Sequence, residues 1–283
     1  MPNDLSPRGA GRIIDDAFEL YRANFAVIAL SSAILLFPTA LLVGVAQVFY
    51  TRGMFEVVPQ ILSGTRVENL SEVQVWSLLA NALSPLYLAA TYYIASCVLV
   101  AAPRMLAGDK LTVPAMLKGG WSRFGWLLLT SLLISLVTGL GSLFFLVPGI
   151  YLYARLNVAR VVSVVEAVPV DGAVSRAWTL THGMVWRTLG FAVGLGLLGI
   201  TLQSAIDAPA VVRQIAASVS NPEALFQTVS PGWKTLEGAL SAAAVSLVYP
   251  FSELAWFFYY LDLRARREGM DLTMAARELA ARL

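Results

Sequence analysis

The sequence predicts an all-α polytopic membrane protein with six transmembrane helices and short amphipathic helices along the cytoplasmic membrane surface. Three observations predict it. AVILMFWYC residues make up 58 % of the 283-residue chain and DEKR only 13 %, where a soluble domain carries about 25 % charge. Charge-free stretches long enough to cross a bilayer recur along the chain. The basic residues are sorted by segment rather than spread evenly. With a mean hydropathy of +0.70, this composition excludes intrinsic disorder, nucleic-acid binding and a disulfide-stapled secreted module. Residues 1–283 read as one integral membrane domain.

A spanning helix needs about 20 apolar residues. The first span, about 25–50, lies in the charge-free interval between Arg22 and Arg52. It follows a charged stretch and is too long for a signal-peptide core, so it reads as an anchor. The second, 75–101, lies between Glu72 and Arg104 and contains Tyr92, Tyr93 and Cys97. The third, 124–147, runs up to Pro148-Gly149, a turn signal that folds the fourth, 149–168, back as a tight hairpin. That fourth segment carries Arg155, Arg160 and Glu166. The fifth, 187–206, is free of charge between Arg187 and Asp207, and the sixth, 237–261, contains Glu253.

Orientation follows from Lys and Arg in the connecting segments. With the N-terminus inside, the inner segments hold 14 of the 20 basic residues, including Arg8, Arg12, Arg104, Lys110, Lys118, Arg123, Arg176, Arg187 and Arg264. The outer segments hold 4: Arg52, Arg66, Arg213 and Lys234. Both termini are then cytoplasmic.

The cytoplasmic segments have helical periodicity of their own. Ile13, Ala17, Leu20 and Tyr21 form one stripe of residues 12–24. In the segment from Leu111, Thr112 can cap a helix with Pro114 in its first turn. Asp171 and Gly183 bracket another. The tail, 270–283, aligns Leu272, Ala276, Leu279 and Leu283. Gly108-Asp-Lys-Leu-Thr112 is similar to Gly269-Met-Asp-Leu-Thr273, and Ala115, Lys118 and Trp121 parallel Ala173, Arg176 and Trp178. Three units of surface helix plus hairpin, closed by a fourth surface helix, explain this pattern; chance similarity over such short matches is the alternative. Trp121, Trp178, Trp186 and the cluster Trp256 to Tyr260 are expected as interface anchors.

The chemistry is narrow. Cys97 is the only Cys and His182 the only His, which removes disulfides and His- or Cys-rich metal sites. No catalytic residue, cofactor site or metal set is expected. Cys97 reads as a packing residue and His182 as a surface one. Gly194 to Gly199 spells GxGxxG inside an apolar span with no preceding strand, so the dinucleotide reading fails. Gly190 and Gly194, four apart, instead suit close helix packing, as do Gly139 and Gly141.

Charges inside spans are costly and mark candidate sites. Arg155, Asn157, Arg160 and Glu253 form the candidate intramembrane polar site. Glu253 and Arg160 each precede the inner end of their span by 8 residues, about 12 Å, so an Arg160–Glu253 ion pair is one outcome. Snorkelling of Arg160 to headgroups is the other. Arg155 with Asn157 either lines a polar cavity or serves helix packing and headgroup contact. Glu166, Arg176, Trp178, Trp186 and Arg187 are candidate cytoplasmic interface contacts for anionic headgroups or a membrane-protein partner.

The stretch Leu146 to Gly190 contains Pro148, Gly149, Tyr153, Arg155, Glu166, Ala173, Arg176, Trp178, Thr181, Gly183, Trp186 and Arg187. In that order they resemble the signature of the glycerophosphoryl diester phosphodiesterase membrane-domain family, and the ending YYLDLRARREGMDL is similar to the family's tail. Some members carry a soluble phosphodiesterase barrel. This chain has no room for one and a single His, so the resemblance implies the membrane part without the enzyme. The leading expectation is a non-enzymatic scaffold or accessory factor. The alternative is a transporter or lipid-handling protein with a cavity near Arg155, Asn157, Arg160 and Glu253.

Overall fold

A computed structural model describes residues 9–66, 69–220 and 230–268, which form α-helices joined by turns, with no β-strand among them. In chain order these are α1 (Ala10–Ala23), α2 (Phe25–Leu62), α3 (Leu70–Leu106), α4 (Val113–Phe144), α5 (Leu146–Leu156), α6 (Ala159–Val165), α7 (Val170–Leu180), α8 (Val185–Ser220) and α9 (Pro231–Glu268). Five of them, α2, α3, α4, α8 and α9, are long and apolar enough to cross a membrane. Leu129, Leu132, Leu136, Leu140 and Leu143 lie exposed along α4, an apolar stripe that a water-soluble monomer would not leave open. The chain is a multi-pass membrane protein.

The expected fourth span, 149–168, is not one continuous helix. It divides into α5 and α6 at Asn157-Val158, two weak helix formers. Each piece is too short to cross alone. The preceding turn also moves. It falls at Phe145, which is extended (φ −157°, ψ 139°), and not at Pro148-Gly149. Pro148 sits in the first turn of α5, where no intrahelical N–H is needed. Gly149 lets α4 approach, since a Cβ there would meet Ser142 Cα at 2.8 Å.

Several helices outrun their expected spans. The 38 residues of α2 and of α9 rise about 57 Å each, against a hydrocarbon core of about 30 Å. Segments expected as outer loops, around Arg52 and Lys234, are therefore helical. The chain divides into two units. The second comprises Ser32–Thr91 and Ile200–Val248, and four of its charges form two pairs. Arg52 donates to both carboxylate oxygens of Glu237, at 2.8 and 3.3 Å, and Trp233 Nε1 donates to the same group at 2.8 Å. Lys234 Nζ lies 3.6 Å from Glu56 and 5.2 Å from the ring centroid of Phe49. Gly238 brings α9 against α2: a Cβ would sit 2.8 Å from Val45 Cα.

The first unit comprises Met1–Ser31, Tyr92–Gly199 and Tyr249–Leu283. Here α1 buries Ile13, Ala17, Leu20 and Tyr21, the stripe its periodicity predicts. Tyr21 packs edge-on to Phe25 and Phe251, and burial pushes its phenol up to about 12. Thr112 occupies the N-cap of α4 with Pro114 behind it, as expected. The helix that begins there does not stop at Trp121. It runs on as the span itself, because Tyr93 donates to Leu117 O at 2.8 Å and Ser96 to Gly120 O at 2.7 Å, holding those turns against α3. Gly120 permits the contact: its Cβ would meet Cys97 Cα at 2.8 Å. Cys97 is thus a buried packing residue.

The proposed repeat is uneven in the described residues. α1 and α7 are separate short helices before long ones, whereas the middle surface helix is fused to α4 and its return helix is broken. The tail helix 270–283 and its Gly269–Thr273 motif lie outside the described residues, as do Arg8, Arg277 and Arg282.

Candidate functional site

All four candidate intramembrane residues belong to the first unit, and they separate into two sets. Arg160 on α6 donates from Nη1 to Glu253 Oε1 on α9 at 3.3 Å. Glu253 is only 1 % exposed, so Arg160 turns inward to a counter-ion rather than out to headgroups. Tyr249, one turn before Glu253, lies beside the pair with Tyr153 and Tyr92. Arg160 Nε, Glu253 Oε2 and Tyr249 Oη make no hydrogen bond of good geometry. The pair is neutral, but its polar atoms are only partly satisfied.

Arg155 does not join it. Its guanidinium carbon lies 4.0 Å from the Trp178 ring centroid and 5.9 Å from that of Tyr151. It is 2 % exposed, its Nε has no hydrogen-bond partner, and no ion pair to it occurs among the described residues. A desolvated cation–π contact is worth about 2 kcal/mol, whereas burying an ion costs several. Arg155 is therefore an unbalanced buried cation. Asn157 is buried close by in sequence, with its amide nitrogen unpartnered. Thr181 Oγ1 donates to the Arg155 carbonyl at 3.3 Å, which ties the end of α7 to α5.

Next to these residues lies an apolar groove of about 530 Å³, lined by Val147, Ile150 and Tyr151 of α5 and by Gly183, Val185, Trp186 and Leu189 at the start of α8. Gly183 has φ +71°, a conformation that favours glycine, and it closes α7 where expected.

A denser network joins the ends of α6, α7, α8 and α9. Arg176 Nε donates to both oxygens of Glu166 at 3.1 and 3.2 Å, and its Nη2 donates to Glu268. Tyr260 Oη donates to Glu166 at 2.7 Å, and Arg264 donates to Glu268 at 2.9 Å. Arg187 and Arg266 both donate to Asp262, at 2.8 and 2.9 Å. Burial works against the charge of Arg176, but Glu166 and Glu268 outweigh it and hold the guanidinium above its ordinary value. Glu166, Arg176 and Arg187, expected as interface contacts, are thus engaged inside the chain. Trp178 covers Arg155, while Trp186 is 84 % exposed.

Two other expectations change. Trp256 to Tyr260 are buried, not interfacial: Phe191 stacks on Tyr259 at 4.4 Å, and Tyr259 shares a 2.8 Å hydrogen bond with Thr188. Gly190 and Gly194 have nothing within 4 Å of a would-be Cβ, nor does Gly139, so they bring no helix close among the described residues. Gly141 does, against Gly149 at 3.3 Å. Sequence reasoning missed Asp262, Glu268 and Tyr249. Their spacing was the available signal, since Asp262–Arg266, Arg264–Glu268 and Tyr249–Glu253 are all four apart. Comparison with family models, curated proteins and solved structures finds no match to this chain.

Proposed function

We propose that the chain is a non-enzymatic integral protein of a bacterial inner membrane, acting as a scaffold or accessory factor at the cytoplasmic face. It is read as the membrane part of the glycerophosphoryl diester phosphodiesterase membrane-domain family, built on three repeats of surface helix plus hairpin. On this reading α5 and α6 together make a sixth crossing, and both termini are cytoplasmic. The observation that carries the scaffold reading is the network of Glu166, Arg176, Arg187, Asp262, Arg264 and Glu268. Cross-linking four helix ends fixes a platform. Lys110 and Lys118 make no ion pair among the described residues, and Trp121 beside them is 72 % exposed. These groups suit anionic headgroups or a membrane partner.

Isolation of the chain in native-lipid nanodiscs tests it. A stoichiometric partner or an enrichment in anionic lipid is expected, reduced by Lys118→Gln with Trp121→Ala. A chain carrying neither contradicts the reading. A second reading, a lipid-handling protein, is favoured by one observation: Arg155 is buried beside an apolar groove with no counter-ion among the described residues.

A further inference from the structure

Arg155 points to a specific ligand chemistry, and the inference rests on the lipid-handling reading just given. We infer that Arg155 anchors the headgroup of one anionic phospholipid whose acyl chain lies in the groove of Val147, Ile150, Tyr151, Val185, Trp186 and Leu189.

Four observations converge. Val147, Tyr151 and Arg155 are spaced four apart, so one face of α5 carries both the groove wall and the cation. Arg155 as a residue is 2 % exposed and has no acidic partner among the described residues, while its Nε lacks any hydrogen bond. A buried cation in that state is completed by an anion. The groove is apolar along its described lining and holds about 530 Å³, within the about 300–1,000 Å³ of ligand clefts. Its outer walls, Val147 and Trp186, are strongly exposed, so a chain enters sideways from the surrounding bilayer. Tyr151 and Trp178 meet edge-to-face at 6.3 Å over the guanidinium, and both are half-exposed. For a phosphate to reach Arg155, one of these two rings turns aside.

The occupant is a phospholipid rather than free phosphate because the groove offers surface only to an acyl chain.

Native mass spectrometry of the full chain, supplied in turn with phosphatidylglycerol, phosphatidylcholine, oleic acid and inorganic phosphate, tests this. One phosphatidylglycerol is expected to be retained at least about tenfold more firmly than phosphatidylcholine, with phosphate not retained. Arg155→Gln levels the two phospholipids. Ile150→Trp, which fills the groove and leaves Arg155 in place, loses both, and it decides the matter if Arg155→Gln does not fold. Equal retention by the native chain, or a preference that survives Arg155→Gln, overturns the assignment of Arg155. Tighter retention of oleic acid or phosphate overturns the phospholipid as occupant. A chain that holds no lipid at all overturns the lipid-handling reading with it.

Discussion

Arg160 and Glu253 each hold a charge that the other makes tolerable in apolar surroundings. Removing one leaves its partner buried and uncompensated, at a cost of about 3–5 kcal/mol. Glu253→Ala should therefore lower the unfolding midpoint in detergent sharply, while Arg160→Leu with Glu253→Leu should recover at least half of the loss. A double variant no better than the worse single one would sink this account of the pair. The Glu166–Arg176 contact is more exposed, at 14 % and 31 %, so Arg176→Gln should cost only about 1 kcal/mol, and less in high salt. The deep pair was legible in the sequence as one of two outcomes for Arg160, because opposite charges inside apolar spans stabilise one another. The position of Arg155 was not, since its contact with Trp178 depends on how α7 docks, which no local pattern encodes. The aromatic run Trp256 to Tyr260 misled for a related reason. A membrane-interface belt and a buried helix end use the same residues.

At the scale of the helices, glycine separates contacts that exist within the chain from those that do not. Gly149 admits α4 with no spare room, so Gly149→Ala should overpack the α4–α5 contact and cost about 1–3 kcal/mol. Gly190 and Gly194 face open space, and Gly194→Ala should be neutral or gain up to about 1 kcal/mol from helix propensity. Thermal unfolding of the two variants in the same detergent compares them, and a destabilising Gly194→Ala would show that this face is covered by something outside the chain. Identical sequence spacing therefore carries opposite meanings. Element type was readable throughout, since long apolar runs leave few alternatives. Helix ends were not. Charges such as Arg52 and Glu237 read as loop signals in sequence, yet a bidentate ion pair between α2 and α9 lets both helices run through them. The break at Asn157-Val158 was hidden inside a continuous apolar pattern.

For the whole molecule, the question is parity. Arg160 meets Glu253 and Glu166 meets Tyr260, so α6 and α9 advance in the same direction and end together. Val147 of α5 and Gly183 before α8 line one groove, and Tyr151 lies 6.3 Å from Trp178, so the sixth crossing is the part of the proposal that calls for a direct test. The scaffold and lipid readings both build on it, because each places the α6–α9 network and Arg155 relative to the cytoplasmic face. Cys97 is the only thiol and is buried, so a Cys97→Ser chain gives a silent background. Single cysteines placed in it by Arg66→Cys, Phe145→Cys, His182→Cys and Glu268→Cys can be challenged in intact cells with a membrane-impermeant maleimide. Arg66→Cys and Phe145→Cys are expected to label from outside, and His182→Cys and Glu268→Cys only after permeabilisation. If Phe145→Cys is instead protected together with His182→Cys, then α5 and α6 re-enter without crossing, the termini lie on opposite sides, and the six-crossing account is wrong.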